Sequence, residues 1–340
     1  MKTKDRLTRA YDEADIIEFD STSRFVFFSD QHRGDGSNAD EFAKNKVIVT
    51  HALAHYLDEG YTLVELGDSE DLWEFPHLKH IVRAHGIVYG KLREFHAQGR
   101  YLRLFGNHDI QFADPRYVRQ NLSDAPNPQT GEPEPLLPGL VVHQALRLRE
   151  KTTGQEVFVV HGHQGDLAND QNWRFTMWTY RVFWRWLHAF GIHSPSSPIR
   201  NTYKRHKVER NYVKWIREHR VALICGHTHR ARFAAPDESP YFNTGSTTFN
   251  AYITGIELVG GEICLVRWRV ESDANGYLRV VRWVLSGPEP IASYDRKKRA
   301  GISIYAEKAR HEAFREGAKG VPARRDGPKD AARSRSASSL

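Results

Sequence analysis

Five short motifs rich in His, Asp and Asn each follow an apolar run. Asp30-Gln31-His32 follows Phe25-Val26-Phe27-Phe28, and Gly67-Asp68-Ser69-Glu70-Asp71 follows Leu63-Val64-Glu65-Leu66. Gly106-Asn107-His108-Asp109 follows Leu102-Arg103-Leu104-Phe105. His161-Gly162-His163 follows Val157-Phe158-Val159-Val160, and Gly226-His227-Thr228-His229 follows Ala222-Leu223-Ile224-Cys225. Side chains at i and i+2 share a face of extended chain, so an Asp-x-His or His-x-His pair can reach one ion. A carboxylate can bridge two cations while imidazole and amide oxygen complete the shells. Oxygen and nitrogen donors without thiolate suit Mn²⁺, Fe, Ni²⁺ or Zn²⁺ better than Ca²⁺. Two such ions, about 3.5–4 Å apart, would clamp a phosphoryl group and acidify a water. Each motif alone has a blander reading: Gly-Asn is turn chemistry, and a lone Asp-x-His is common. Five in order, each closing an apolar run, point to a two-metal centre.

The elements that must carry these motifs are also visible. The runs 24–29, 61–66, 101–105, 156–160 and 221–225 are short, apolar and bounded by Gly or charge, as buried strands are. Between the early ones, Ala39–Glu59 and His77–Gln98 have helical periodicity. Alternating strands and helices predict an α/β sheet covered by helices, with ligands beyond the carboxyl ends of the strands. After His229 the pattern changes. Tyr252–Val259, Glu262–Val270 and Tyr277–Leu285 alternate as antiparallel strands, with Gly260-Gly261 as a hairpin turn.

In this order the motifs resemble those of the calcineurin-like metallophosphoesterases, over roughly residues 25–248 and including Asn243-Thr244-Gly245-Ser246. The resemblance implies a four-layer α/β/β/α sandwich with a helical insert between the fourth and fifth motifs. It implies that Asp30, His32, Asp68 and His229 hold one ion. Asp68, Asn107, His161 and His227 would hold a second, with Asp68 bridging; Mn²⁺ leads, with Fe, Zn²⁺ or Ni²⁺ as alternatives. A metal-bridging hydroxide would attack phosphorus in line. His108 would stand beside the leaving oxygen, oriented by Asp109. At the fourth motif His161 is preferred as ligand because it directly follows the strand; His163 is left to touch substrate or to lie on a surface loop. Glu70, Asp71 and Asp166 are candidates to support a ligand histidine, or, for Glu70 and Asp71, to cap a turn.

Composition bounds the rest. The 340 residues are 40% hydrophobic and 27% charged, ordinary for a globular chain. No apolar run approaches the roughly 20 residues of a membrane-spanning helix. The opening residues have no apolar stretch after their basic start, and there are two cysteines, so a cytoplasmic location is expected. Of the net charge of +7, the segment 295–340 holds 13 Lys/Arg against 6 Asp/Glu, which leaves the remainder formally neutral. Residues 172–220 add 11 Lys/Arg against Glu209 and Glu218. This bipolar layout argues against a uniformly basic nucleic-acid binder. The expected organisation is an N-terminal extension (1–22), a catalytic domain (23–290) with its insert at 172–219, and a basic, largely disordered tail (291–340).

The insert bears on substrate. Residues 173–190 hold eight aromatics, and on a helix Arg174, Arg181, Arg185 and His188 fall on one stripe. A second helix would carry Lys204 and Arg205. One reading is a packed helical cap. The other is a lid whose apolar surface meets acyl chains or a membrane interface, while Arg174, Arg181, Lys204, Arg205 and His163 meet phosphate. Leu66–Glu74, Val160-His161-Gly162 and the insert resemble the UDP-2,3-diacylglucosamine pyrophosphatase branch, which implies a nucleotide–lipid pyrophosphate substrate at the inner membrane face. This chain departs from that branch in having His108 where the best-known members have Arg, and in a longer antiparallel region and basic tail. The alternatives are a soluble broad-specificity phosphodiesterase or serine/threonine-type protein phosphatase, and a nucleic-acid-binding protein or nuclease.

Overall fold

Strands with no polar face must be covered on both sides. The computed structural model, which describes residues 3–127, 130–165 and 202–295, meets this demand with two sheets and mixed α/β architecture. The smaller sheet has the order β1 (Asp15–Phe19), β8 (Ala145–Glu150), β9 (Glu156–Val160), β10 (Ala222–Cys225), β11 (Tyr241–Asn243). In it β9, β10 and β11 run parallel, and β8 is antiparallel to β9. The larger sheet sets β2 (Arg24–Phe28), β3 (Thr62–Glu65), β4 (Tyr101–Leu104) and β7 (Val142–His143) parallel. On the other side of β2 it continues antiparallel through β12 (Tyr252–Val259), β13 (Glu262–Ser272) and β14 (Leu278–Pro290). A separate hairpin joins β5 (Asp124–Pro126) to β6 (Pro133–Pro135).

Three cores hold these elements. Phe27, Val64 and Leu104 of the larger sheet meet Leu146, Val159 and Ile224 of the smaller one. On the outer face of the larger sheet, α2 (Lys46–Asp58) and α4 (Gly86–Ala97) bury Leu53, Tyr56, Leu92 and Phe95 against Val26, Leu63 and Trp268. On the outer face of the smaller sheet, α1 (Thr3–Asp12) and α5 (Thr202–His219) bury Leu7, Tyr212 and Trp215 against Phe158 and Leu223. Trp215 lies with its ring 5.0 Å from that of Phe158, and truncating such a residue costs about 3–5 kcal/mol.

Three features differ from the sequence reading. Residues 3–19, read as lying outside the domain, supply α1 and the edge strand β1, which pairs with β8 over five residues. Only Phe19 of β1 is buried, so an edge strand of this kind leaves little apolar pattern. The stretch expected to be one helix from His77 divides into α3 (Leu78–Ala84) and α4, with the break at His85, whose Nε2 lies 2.7 Å from Asp40 Oδ2. That same Asp40 accepts from the backbone N–H of Phe42, so the helix expected from Ala39 begins instead as a tight turn before Lys46. The C-terminal meander is as expected, with φ positive at both Gly260 and Gly261 in the hairpin turn.

Candidate metal centre

Parallel strands deliver their carboxyl ends to one edge of a sheet. β2, β3 and β4 therefore bring Asp30/His32, Asp68 and Asn107/His108 to the same edge, and β9 and β10 bring His161 and His227/His229 from the other sheet. Immediately past the strands the chain must turn so that successive side chains converge. Among the described residues seven non-glycine positions have positive φ, and five of them are Asp30, His32, Asp68, His227 and His229. Such conformations cost about 1–3 kcal/mol each and persist where the surroundings over-determine them. The loops pass too closely for side chains at two glycines. A Cβ on Gly106 would meet the Asp68 carboxylate, and one on Gly226 would meet Ser29 and the Asp30 carboxylate.

The expected ligands converge as two sets, beside a third group of His32, Asp71 and His108. In the first, His229 Nε2 is 3.1 Å from Asp30 Oδ1 and 3.2 Å from His32 Nε2, and His32 Nε2 is 3.9 Å from Asp68 Oδ2. In the second, Asp68, His161 and His227 gather, with His161 Nε2 3.2 Å from Asp68 Oδ2. The other Asp68 oxygen accepts the backbone N–H of His108 at 2.7 Å, so Oδ2 faces both sets. His161 Nδ1 donates to the Leu66 carbonyl at 3.0 Å, which aims Nε2 inward. Asp30 Oδ2 accepts from Ser29 Oγ and from the backbone N–H of His227, which leaves Oδ1 for the centre.

These clusters of His and Asp could hold metal ions. Asp30 and Asp68 are both buried, yet the partners that favour their ionised form are imidazoles. Burial opposes charge on each, but His229 for Asp30 and His161 for Asp68 outweigh it and hold both carboxyls below the usual range. The effect is reciprocal for Asp68 and His161, whereas burial outweighs Asp30 and holds His229 below its ordinary value. Burial alone would lower His32 and His161, but Asp71 and Asp68 respectively push them up to about 10 and about 9. Carboxylates that raise the proton affinity of an imidazole attract a divalent cation by the same field. Asn107 Oδ1, within a residue only 2% exposed, has no hydrogen-bond partner among the described residues. An orphaned buried amide oxygen costs about 1–3 kcal/mol unless something else accepts its lone pairs. Donor chemistry, burial and the orphaned oxygen all fit cations in this centre.

His108 stands at the rim, 14% exposed, with its ring stacked 4.2 Å from that of Trp73 and edge-on to that of His32. Its Nδ1 lies 3.0 Å from Asp71 Oδ1. Asp71 also faces His32 Nδ1 at 3.6 Å and accepts the backbone N–H of Glu74, so it supports histidines and caps a turn at once. Asp109, expected to orient His108, does something else. It accepts the backbone N–H groups of Gly106, Ser69 and Asp68 at 2.6, 2.9 and 3.2 Å, and so ties the second motif loop to the third. Burial, with the charges of Asp68 and Glu70, pushes its carboxyl up to about 6 despite Arg103.

His163 does not join either donor set and is not a surface residue. It is 3% exposed, with its ring 5.5 Å from that of His161, and burial holds its imidazole well below the ordinary range. Arg174, Arg181 and Asp166, and the side chains of Lys204 and Arg205, fall outside the described residues.

Sequence reasoning missed a second buried charge cluster directly beneath the loops. Arg33 bonds Glu65 at 2.8 Å and Glu70 at 2.7 Å, and Arg103 bonds Glu70 and lies 3.4 Å from Asp109. Tyr89 and Tyr101 donate to Glu70 and Glu65, and Gln31 donates to Glu65. The available signal was charge inside otherwise apolar runs: Glu65 in Leu63–Leu66 and Arg103 in Leu102–Phe105.

No family model matches the chain, and no curated protein matches it at a significant level. Among the described residues no helix is long and apolar enough to cross a membrane.

Proposed function

We propose that this chain is a dinuclear-metal hydrolase of phosphoesters or phosphoanhydrides of the calcineurin-like type. The observation that carries the reading is the placement of Asp68 Oδ2 toward both donor sets, 3.2 Å from His161 Nε2 and 3.9 Å from His32 Nε2. Asp30, His32, Asp68 and His229 would hold one ion, and Asp68, Asn107, His161 and His227 the other. Mn²⁺ suits these donors, as do Fe, Zn²⁺ and Ni²⁺. Ions bound there would polarise a phosphoryl oxygen and supply a nucleophilic water at neutral pH. The stacked cores support the four-layer α/β/β/α arrangement expected for such an enzyme.

The protein's own groups account for the rest. Asp71 and the Trp73 ring fix the His108 imidazole, so that Nε2 can hand a proton to, or hydrogen-bond, a leaving oxygen. The Asp109 carboxylate keeps the second and third loops in register, which holds Asp68 and Asn107 at fixed separation. The aromatic and basic composition of residues 173–190 favours a lipid-linked pyrophosphate as substrate.

The test is turnover by Mn²⁺-reconstituted protein of p-nitrophenyl phosphate, bis-p-nitrophenyl phosphate and nucleotide pyrophosphates, with and without mixed lipid–detergent micelles. Metal-dependent turnover that is lost in Asp68→Asn is expected. Folded, metal-loaded protein that turns over none of them would overturn the reading.

A further inference from the structure

Beside His229 the surface opens into a cavity of about 320 Å³ that the metal centre does not use. Two arginines line it, Arg230 and Arg267, and among the described residues no acidic residue does. Their neighbours are neutralised: Arg232 pairs with Glu238, Arg269 with Glu271 and Arg282 with Glu257. Among the described residues, Arg230 and Arg267 have no ion pair, and the buried Arg267 Nε has no hydrogen-bond partner. Arg267 is nevertheless fixed in place. Its guanidinium carbon lies 4.7 Å above the Tyr252 ring, which in turn stacks on Phe249 with centroids 5.2 Å apart and planes 15° from parallel. β13 presents Arg267 opposite Thr254 of β12, so the platform is built on paired strands. A guanidinium held over an aromatic face loses little side-chain freedom when its remaining N–H donors take up a planar or tetrahedral oxyanion.

We propose that this cavity is a second anion subsite, which takes a further phosphoryl or carboxylate group of the substrate while the first phosphoryl group sits at the metal centre. The inference rests on the hydrolase reading for the identity of the first group. It adds that substrates carrying two anionic groups are preferred over those carrying one, and that Arg267 and Arg230 make the distinction.

Calorimetry on Mn²⁺-loaded full-length protein tests this without turnover, with methylenediphosphonate against methylphosphonate as probes. The wild type should bind the diphosphonate about tenfold more tightly or better, the gain expected of one charge-assisted contact. In Arg267→Gln that ratio should collapse toward one, and in Arg267→Lys, which keeps the charge and loses the fork, it should fall between. Arg230→Gln should lower it as well. Circular dichroism melting of each variant shows whether it is folded. An unchanged ratio in folded Arg267→Gln and Arg230→Gln would overturn the subsite. Methylphosphonate binding and ester turnover with no diphosphonate preference in the wild type would overturn the subsite alone; a loaded protein that binds neither phosphonate would overturn both it and the hydrolase reading.

Discussion

Two clusters of buried charge lie against each other in this molecule and are neutralised in opposite ways. In one, Glu65, Glu70 and Asp109 face the guanidiniums of Arg33 and Arg103, and every carboxylate has a fixed cation. In the other, Asp30 and Asp68 face imidazoles and, among the described residues, pair with no guanidinium or ammonium; the backbone at five donor positions is in the left-handed region, and Asn107 Oδ1 has no donor among the described residues. A buried ion pair that is internally complete is a strut, and losing one partner leaves an unpaired charge. A cluster completed by no residue of its own is a socket. The strut holds the loops from which the socket hangs, because Asp109 bonds the backbone at Asp68, Ser69 and Gly106.

This contrast is sharpest in substitutions. Asp68→Asn should lower turnover by at least about a thousandfold, about 4 kcal/mol of barrier, while the metal-free protein stays folded. Turnover within tenfold of wild type would show that Asp68 is not central. Arg103→Met should do the reverse first: a loss of about 3 kcal/mol or more in urea denaturation, since Glu70 and Asp109 are left buried without it. A loss under about 1 kcal/mol would mean that the network relaxes freely and is no strut. Chelation should then separate the two clusters. Each Mn²⁺ held at a hundred times its dissociation constant stabilises the fold by about 2.7 kcal/mol, a gain that should vanish in Asp68→Asn and survive in Arg103→Met when thermal midpoints are compared. Asp71→Asn should slow turnover by about tenfold to a hundredfold with both ions retained, as the loss of an orienting partner does. Loss of metal instead would mean that Asp71 serves His32 more than His108.

The smallest effect expected is on the acid limb of stability. Burial alone would raise the Glu70 carboxyl, but Arg103 and Arg33 outweigh it and hold it at about 2, below its ordinary 4.5. A depressed carboxylate contributes stability that is present above pH 4.5 and lost as the pH falls toward 2. Asp109 has the opposite sign. Its carboxyl, pushed up to about 6 from 3.8, binds a proton more tightly in the folded chain, so its contribution rises as pH falls across that interval. Melting of the metal-free protein should therefore fall on acidification below about pH 4.5, over the part of the acid limb that Glu70 carries. Glu70→Gln should flatten the fall; a wild-type acid limb in that variant would contradict its assignment.

The donor positions were legible in the sequence because each directly follows a buried strand, and strand ends are where an apolar run stops. The i, i+2 spacing of Asp30/His32 and His227/His229 gave their shared aim, although the turn that achieves it is left-handed backbone, for which Asp and His have no exclusive signature. The orientation of His108 was not legible. Asp71 and Asp109 are both acidic and both within reach in sequence terms, and only the fold shows that the nearer in number, Asp109, turns inward to backbone amides. The strand β1 and the break at His85 escaped notice for a related reason: the first is an edge with one buried residue, and the second depends on Asp40, distant in the chain.

The most direct test is the number of ions held. Metal-free protein reconstituted with Mn²⁺, desalted and analysed by plasma mass spectrometry should retain two ions per chain, and Asp68→Asn should lose the greater part of both. One ion or none in the wild type, or two ions undisturbed in Asp68→Asn, would contradict a centre built around a shared carboxylate.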